Sequence, residues 1–132
     1  MPSTFAEFQP PPRHTSSSDA EPIEQLCELI AIAVAAAFAV SLAEMFATTR
    51  RPRAVALARQ SAMYLAHVVF GLTLTEVGRA FGRDRTTAAY ACELVEEKRD
   101  DPVFDSILAS LEHVCGSFHR GPNSQVRSEV LA

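Results

Sequence analysis

The chain has 132 residues and a mass of 14.4 kDa, which leaves room for one domain and its tails. Its 48% hydrophobic and 21% charged residues are a globular composition, and three cysteines (Cys27, Cys92, Cys115) make no disulfide framework, which fits a reducing cytoplasm. The formal charge of −4 with a pI near 5.5 argues at first against a nucleic-acid partner, and the lack of any GxxxxGKS/T run excludes a P-loop nucleotidase.

Residues 1–21 hold the runs Pro10–Pro12 and Ser16–Ser18 and few aliphatic side chains, so a disordered arm is expected there. No basic start followed by an apolar stretch marks a secretion signal. Pro22, flanked by Glu21 and Glu24, opens a helix predicted to reach about Ala47. Leu26, Ile30, Val34, Phe38 and Leu42 keep an i, i+4 rhythm along it. Its uncharged middle, Leu29–Ala43, is only 15 residues long, short of the roughly 20 a bilayer requires. It therefore reads as a helix buried in a small bundle. Thr48–Arg53 (TTRRPR) breaks the helix, because Pro52 disfavours helical geometry at Arg51. A second helix is predicted over 54–70 and stopped by Gly71. Thr73-Leu-Thr-Glu76 is a capping box opening a short helix over 74–81 that ends at Gly82. Asp84 can accept from the amide of Thr86 or Thr87 and so cap a helix running to about Arg99. Asp101-Pro102 primes a last helix over 102–115, closed by Gly116, with 116–132 expected as a flexible tail. Nothing reads as a strand. The expected fold is all-α: a small helical bundle over 22–115 containing a helix-turn-helix.

The charge is unevenly placed. Thr48–Ala91 contains seven basic residues, all arginine (Arg50, Arg51, Arg53, Arg59, Arg79, Arg83, Arg85), against Glu76 and Asp84, for a net +5. The remaining five basic and fourteen acidic residues leave the rest of the chain at −9. Arginine suits bidentate contact with phosphate and guanine because its guanidinium is a rigid fork of donors. Two helices of unequal length joined through Gly82-Arg83-Asp84 have helix-turn-helix proportions, the short one bracing the longer. The start of the longer helix carries Arg85, Thr86 and Thr87, with Tyr90 a turn later. Arginine offers a fork to guanine, and threonine a hydroxyl and a methyl to base edges. The basic loop Arg50–Arg53 suits a neighbouring minor groove.

The run RRPRAVALARQSAMYLAHVVFGLTLTEVGRAFGRDRTTAAYAC closely resembles the C-terminal DNA-binding domain (domain IV) of the bacterial chromosomal replication initiator DnaA. That family combines a basic loop, a PRQ-x-A-MYL helix, an L-x-E-I-G-x-x-F-G brace helix and the signature GGRDHTT-x-x-x-AC. The likeness covers roughly residues 23–115. It implies that Asp84, Thr86 and Thr87 contact bases in the major groove; Asp84 then has two readings, N-cap only, or cap and acceptor from a cytosine amine together. It also implies that Arg51 enters the minor groove flanked by Arg50 and Arg53, and that Arg59 lies near phosphate. Three departures stand out. One glycine is missing before Arg83, which tightens the turn. Arg85 and Tyr90 replace family histidines. Glu93 and Leu94 stand where basic residues usually follow the AC pair, which predicts fewer phosphate contacts and a shallower salt dependence.

No nucleotide-binding module precedes the match in this sequence, so the expectation is a stand-alone relative of the DNA-binding domain without ATPase activity and without a cofactor. The expected function is sequence-specific binding of double-stranded DNA at DnaA-box-like sites, modulating replication initiation or transcription in the cytoplasm, at the nucleoid. The expected residues are Arg50, Arg51, Arg53, Arg59, Arg83, Asp84, Arg85, Thr86, Thr87 and Tyr90, and the replication initiator itself is a candidate partner. The alternative is a protein-interaction module that docks a replication or regulatory partner through the apolar first helix and the acidic stretch Glu93–Asp105. His113, Cys115 and His119 lack a fourth ligand and are set aside as a metal site. Cys27 and Cys92 read as packed small hydrophobes, and Phe70, Phe81 and Phe104 as core anchors. No Ser/His/Asp or paired-carboxylate arrangement has motif context, so no enzyme is expected.

Overall fold

Among the described residues, six helices follow one another in the computed structural model: α1 (Ser17–Phe38), α2 (Leu42–Met45), α3 (Arg53–Val68), α4 (Leu74–Ala80), α5 (Arg85–Lys98) and α6 (Pro102–Leu131). It describes the backbone over residues 17–47 and 53–131, and side chains over 22–47 and 53–117. Among the described residues there is no strand, and the all-α expectation holds.

The centre of the bundle is α3. Its middle, Ser61–Ala66, is buried on every side, because α1 and α5 pack against it and α4 closes on α5. Ala58, Ala62 and Ala66 keep this helix slim enough for neighbours to approach. The larger core side chains come from all around it: Ile30 and Val34 of α1, Met45 of α2, Val77 of α4, Val95 of α5 and Leu108 of α6. Deeply buried residues of this size each contribute about 1.5–3 kcal/mol. Phe38 meets Phe104 with ring centroids 6.2 Å apart, tying the end of α1 to α6.

The predicted first helix is divided in the structure. It stops at Phe38, Ala39 takes a left-handed conformation (φ 57°), and the Val40 amide donates to the Ala35 carbonyl at 3.0 Å, the wrap-back bond of a Schellman end. The chain then restarts at Ser41. Its hydroxyl accepts from the Glu44 amide at 3.1 Å while the Glu44 carboxylate reaches back to the Ser41 amide at 3.4 Å. This capping box fixes the start of α2 and turns Met45 fully inward.

Both outer ends also differ from the sequence reading. Helix α1 begins at Ser17, so residues 17–21 of the expected arm are helical and Pro22 lies past the first turn rather than in it. Residues 1–16 lie outside the described residues. Helix α6 runs through Gly116 to Leu131 instead of stopping at Cys115. A single interior glycine costs a helix about 1 kcal/mol but does not terminate it, and the Ser117 hydroxyl donates to the His113 carbonyl one turn back. The inner boundaries agree with the sequence to within two residues. Gly71 is left-handed (φ 70°) just beyond α3, as its role as a stop requires.

Where α5 ends, Arg99 gathers three elements. It donates to Asp105 at 2.6 Å, to Glu112 at 2.7 Å and to the Tyr64 hydroxyl at 3.2 Å, and its guanidinium lies 5.8 Å from the Tyr64 ring centre. The Tyr64 hydroxyl in turn donates to Glu96. This network holds the C-terminal end of α5 against α3 and α6, so the other end of α5 projects from a fixed base.

Candidate nucleic-acid interface

Helix α4 is opened by the expected capping box. Thr73 accepts from the Glu76 amide at 3.0 Å, and Glu76 accepts from the Thr73 amide at 2.9 Å. It buries Val77 and Gly78 and ends at the buried Phe81. The turn that follows is short. Gly82 is left-handed (φ 69°), and the Arg83 amide donates to the Gly78 carbonyl at 2.7 Å. One glycine therefore suffices where the family pattern has two. Gly78 itself makes the closest approach, since a Cβ there would lie 2.8 Å from the Arg83 carbonyl oxygen and 2.9 Å from backbone atoms of Asp84.

Asp84 is extended (φ −91°, ψ 174°) and its Oδ1 accepts from the Thr87 amide at 2.8 Å, making it the N-cap of α5. Donation from the Thr87 amide, then from its hydroxyl, holds the Asp84 carboxyl below its ordinary value, so it is an anion at neutral pH. Beyond the cap, Ala88, Ala91 and Val95 face the core. Arg85, Thr86 and Thr87 are exposed, and Tyr90 is 58% exposed one turn further on. The same face continues through Glu93 to Glu97, both exposed. The first two turns of α5 carry no acidic side chain, so they repel a polyanion less than the turns that hold Glu93, Glu96 and Glu97.

The remaining predicted residues divide. Arg53 is exposed at the first position of α3, while Arg50 and Arg51 lie outside the described residues. Arg59 turns onto the end of α2: Nε donates to the Met45 carbonyl at 2.8 Å and Nη2 to that of Glu44 at 3.4 Å. Arg83 donates to the Ala47 carbonyl at 3.0 Å and to that of Gly82 at 3.3 Å. The structure thus gathers Asp84, Arg85, Thr86, Thr87 and Tyr90 on one helix end and engages Arg59 and Arg83 with backbone. The engagement of these two arginines has no signature in the sequence. The Ser41–Glu44 box that shapes their acceptors does have one, an S-x-x-E spacing hidden within an otherwise apolar run.

Of the residues set aside, the cysteines and phenylalanines pack, His113 is exposed, and the side chain of His119 lies outside the described residues. Cys27 and Cys115 are buried, and burial pushes each thiol up to about 11, which removes thiolate character. Phe81 and Phe104 are buried and Phe70 packs on the core. Among the described residues no group of three His, Cys, Asp or Glu side chains is placed to hold a metal ion, and no helix is long and apolar enough to cross a membrane.

A short brace helix, a tight glycine turn and a second helix whose capped N-terminus is exposed define a helix-turn-helix domain. Comparison with known proteins narrows this: residues 27–95 match the bacterial dnaA protein helix-turn-helix, and the chain belongs to that family. The chromosomal replication initiator protein DnaA of Thermomicrobium roseum is 44% identical over 90 residues, 65% of this chain and 19% of that protein. DnaA 2 of Chlamydia muridarum is 36% identical over 88 residues, 67% of this chain and 18% of that one. The crystal structure of a DNA replication initiation factor superposes with a TM-score of 0.67 at 29% identity, over 76% of this chain and 31% of that chain. The match thus spans about a fifth of the length of these curated relatives.

Proposed function

We propose that the chain binds double-stranded DNA sequence-specifically, at sites resembling the box read by the replication initiator, and through that binding modulates replication initiation or transcription at the nucleoid. The carrying observation is the N-terminal end of α5, where Arg85, Thr86, Thr87 and Tyr90 are exposed together on a helix start held by the Asp84 cap. In this reading that end enters the major groove. Arg85 presents its fork to guanine, and the threonines meet base edges. The remaining lone pairs of Asp84 can accept from a cytosine amine. Arg50, Arg51 and Arg53 serve the adjacent minor groove and its phosphates.

The test is an electrophoretic mobility shift with a duplex carrying an initiator box against a scrambled duplex, at fixed salt. The box duplex is expected to bind more tightly. Arg85→Ala is expected to lose about 1–3 kcal/mol and to relax the preference at one position. Equal affinity of the wild-type chain for the two duplexes refutes the reading.

One observation favours a second role beside DNA binding. Leu29 and Ile32 of α1 are 51% and 48% exposed, and Val114 of α6 is 46% exposed. Such an apolar flank suits a protein partner, and the initiator itself is the first to test, by co-sedimentation with and without DNA. Absence of co-sedimentation removes this role and leaves the DNA reading intact.

A further inference from the structure

Helix α2 has four residues and cannot hold itself, since a helix this short does not offset its own nucleation cost. Its C-terminal carbonyls need partners from outside. They find them in two arginines of different elements. Arg59, from α3, donates to the carbonyls of Met45 and Glu44, and Arg83, from the turn before α5, bridges those of Ala47 and Gly82. Phe46 lies flat on Phe81 of the same turn, with centroids 5.3 Å apart and an interplanar angle of 6°. Met45 beneath is fully buried. Arg59 therefore fixes Glu44–Met45 to α3, while Arg83 and the Phe46–Phe81 stack fix Phe46–Ala47 to the brace and its turn, and the next residues in sequence lead into the arginine-rich run.

We propose that Arg83, assisted by Arg59, is a positioning residue for recognition. By bridging the Ala47 and Gly82 carbonyls it sets the point from which the arginine-rich run leaves, in fixed relation to Arg85, Thr86 and Thr87. Two of its donors then go to backbone oxygens. Arginine fits the task because its planar fork can donate to two acceptors at once. This inference rests on the DNA-binding reading above, and it adds that loosening Ala47 lowers sequence preference without removing any group that touches DNA.

Hydrogen exchange on the DNA-free full chain, read by mass spectrometry, tests it together with box-against-scrambled competition and its salt dependence. In Arg83→Ala, amides of Leu42–Ala47 are expected to exchange about tenfold faster, as loss of a charge-assisted hydrogen bond implies. Those of Ser61–Ala66 are expected to stay as in wild type, and the preference for the box to fall several-fold. Phe46→Ala removes no charge and is expected to do the same; it also decides the matter if Arg83→Ala does not fold. Unchanged exchange at Leu42–Ala47, with a salt slope lower by about 1 in Arg83→Ala alone, makes Arg83 a phosphate contact and overturns the proposal. Faster exchange throughout the chain makes the role purely structural and overturns it too. So does full box preference in both variants despite local opening. Failure of the DNA reading itself shows separately, as a wild-type chain without preference for the box.

Discussion

Gly78 is the position where a single methyl group tests how tightly the brace is built. It lies inside α4 with ordinary helical geometry, so Gly78→Ala should by propensity gain up to about 1 kcal/mol. The structure opposes this. The new Cβ would sit 2.8 Å from the Arg83 carbonyl oxygen and 2.9 Å from the Asp84 carbonyl carbon and oxygen, against an ordinary contact distance of 3.4 Å or more. All three neighbours are backbone, and they belong to a turn already held by the bond from the Arg83 amide to the Gly78 carbonyl. Relief requires the turn to retreat by about 0.6 Å, and overpacking of this kind costs about 1–3 kcal/mol. The retreat also disturbs the Asp84 cap, which adds to the loss. Net of the propensity gain, Gly78→Ala is expected to lose about 2 kcal/mol, a fall in melting temperature of about 8–16 °C for a domain of this size. Far-UV circular dichroism on heating and in urea measures it. Gly82→Ala is the control. That position is left-handed at φ 69° with open space around it, so alanine there costs only the backbone strain, about 1–2 kcal/mol, and Gly82→Asn should recover part of it because asparagine tolerates that conformation. Gly78→Asn should recover nothing. A Gly78→Ala chain melting at or above wild type would show that the turn yields freely and would refute the close-approach argument.

Three further outcomes follow from single residues. Ala39→Gly is expected to stabilise by about 0.5–1 kcal/mol, because Ala39 is held at φ 57° at the end of α1 and glycine removes that strain at a smaller entropic cost; urea midpoints measure it. Ser61→Ala is expected to match wild type or gain about 1 kcal/mol, since the Ser61 hydroxyl is fully buried in α3 with no hydrogen-bond partner among the described residues; a loss would mean that the hydroxyl does have one. Asp84 has its carboxyl lowered in the folded chain by the Thr87 donors, so the stabilisation it supplies is complete above its unfolded value, near 3.8, and disappears as pH falls through the lower folded value. Asp84→Asn keeps a cap that does not titrate. Denaturation midpoints of the two chains should therefore converge as pH falls through the carboxylate range, and parallel curves would contradict the assignment.

The sequence was most informative where one local rule had no competitor. Thr73-x-x-Glu76, Asp84, Gly71 and Gly82 act over three or four residues, and each stands in the structure where its chemistry places it. The division of the first helix was missed for a physical reason. A helical apolar rhythm runs unbroken across Val40–Phe46, and the residue that breaks the helix is an alanine, the best helix former, driven into a left-handed conformation by tertiary demand to bury Met45. The end of α6 was misjudged by treating Gly116 as a stop, although a glycine ends a helix only when it is left-handed there. For the site, residue types identified the exposed start of α5, because Arg85-Thr86-Thr87 needs no partner to be recognised. Arg59 and Arg83 were not legible. Their acceptors are backbone carbonyls 14 and 36 residues away in sequence, and a carbonyl leaves no trace in the amino-acid letters.

Net +5 over Thr48–Ala91 suggests a broad basic surface, yet two of its seven arginines are committed to the carbonyls of α2 and of the turn. A third basic group close to α5, Arg99, is neutralised by Asp105 and Glu112. Along the exposed face of α5 the charge turns from Arg85 to Glu93 and Glu97 within three turns. Were this helix to meet DNA lengthwise, Glu93 and Glu97 would be brought towards phosphates and cost affinity. On the DNA-binding reading proposed above, the acidic half of α5 would favour approach by the capped N-terminus, whose dipole end is positive, over a side-on approach. On the same reading, sequence preference would rest on the contacts available at that helix end, held in register by the brace, the cap and the Arg83 bridge.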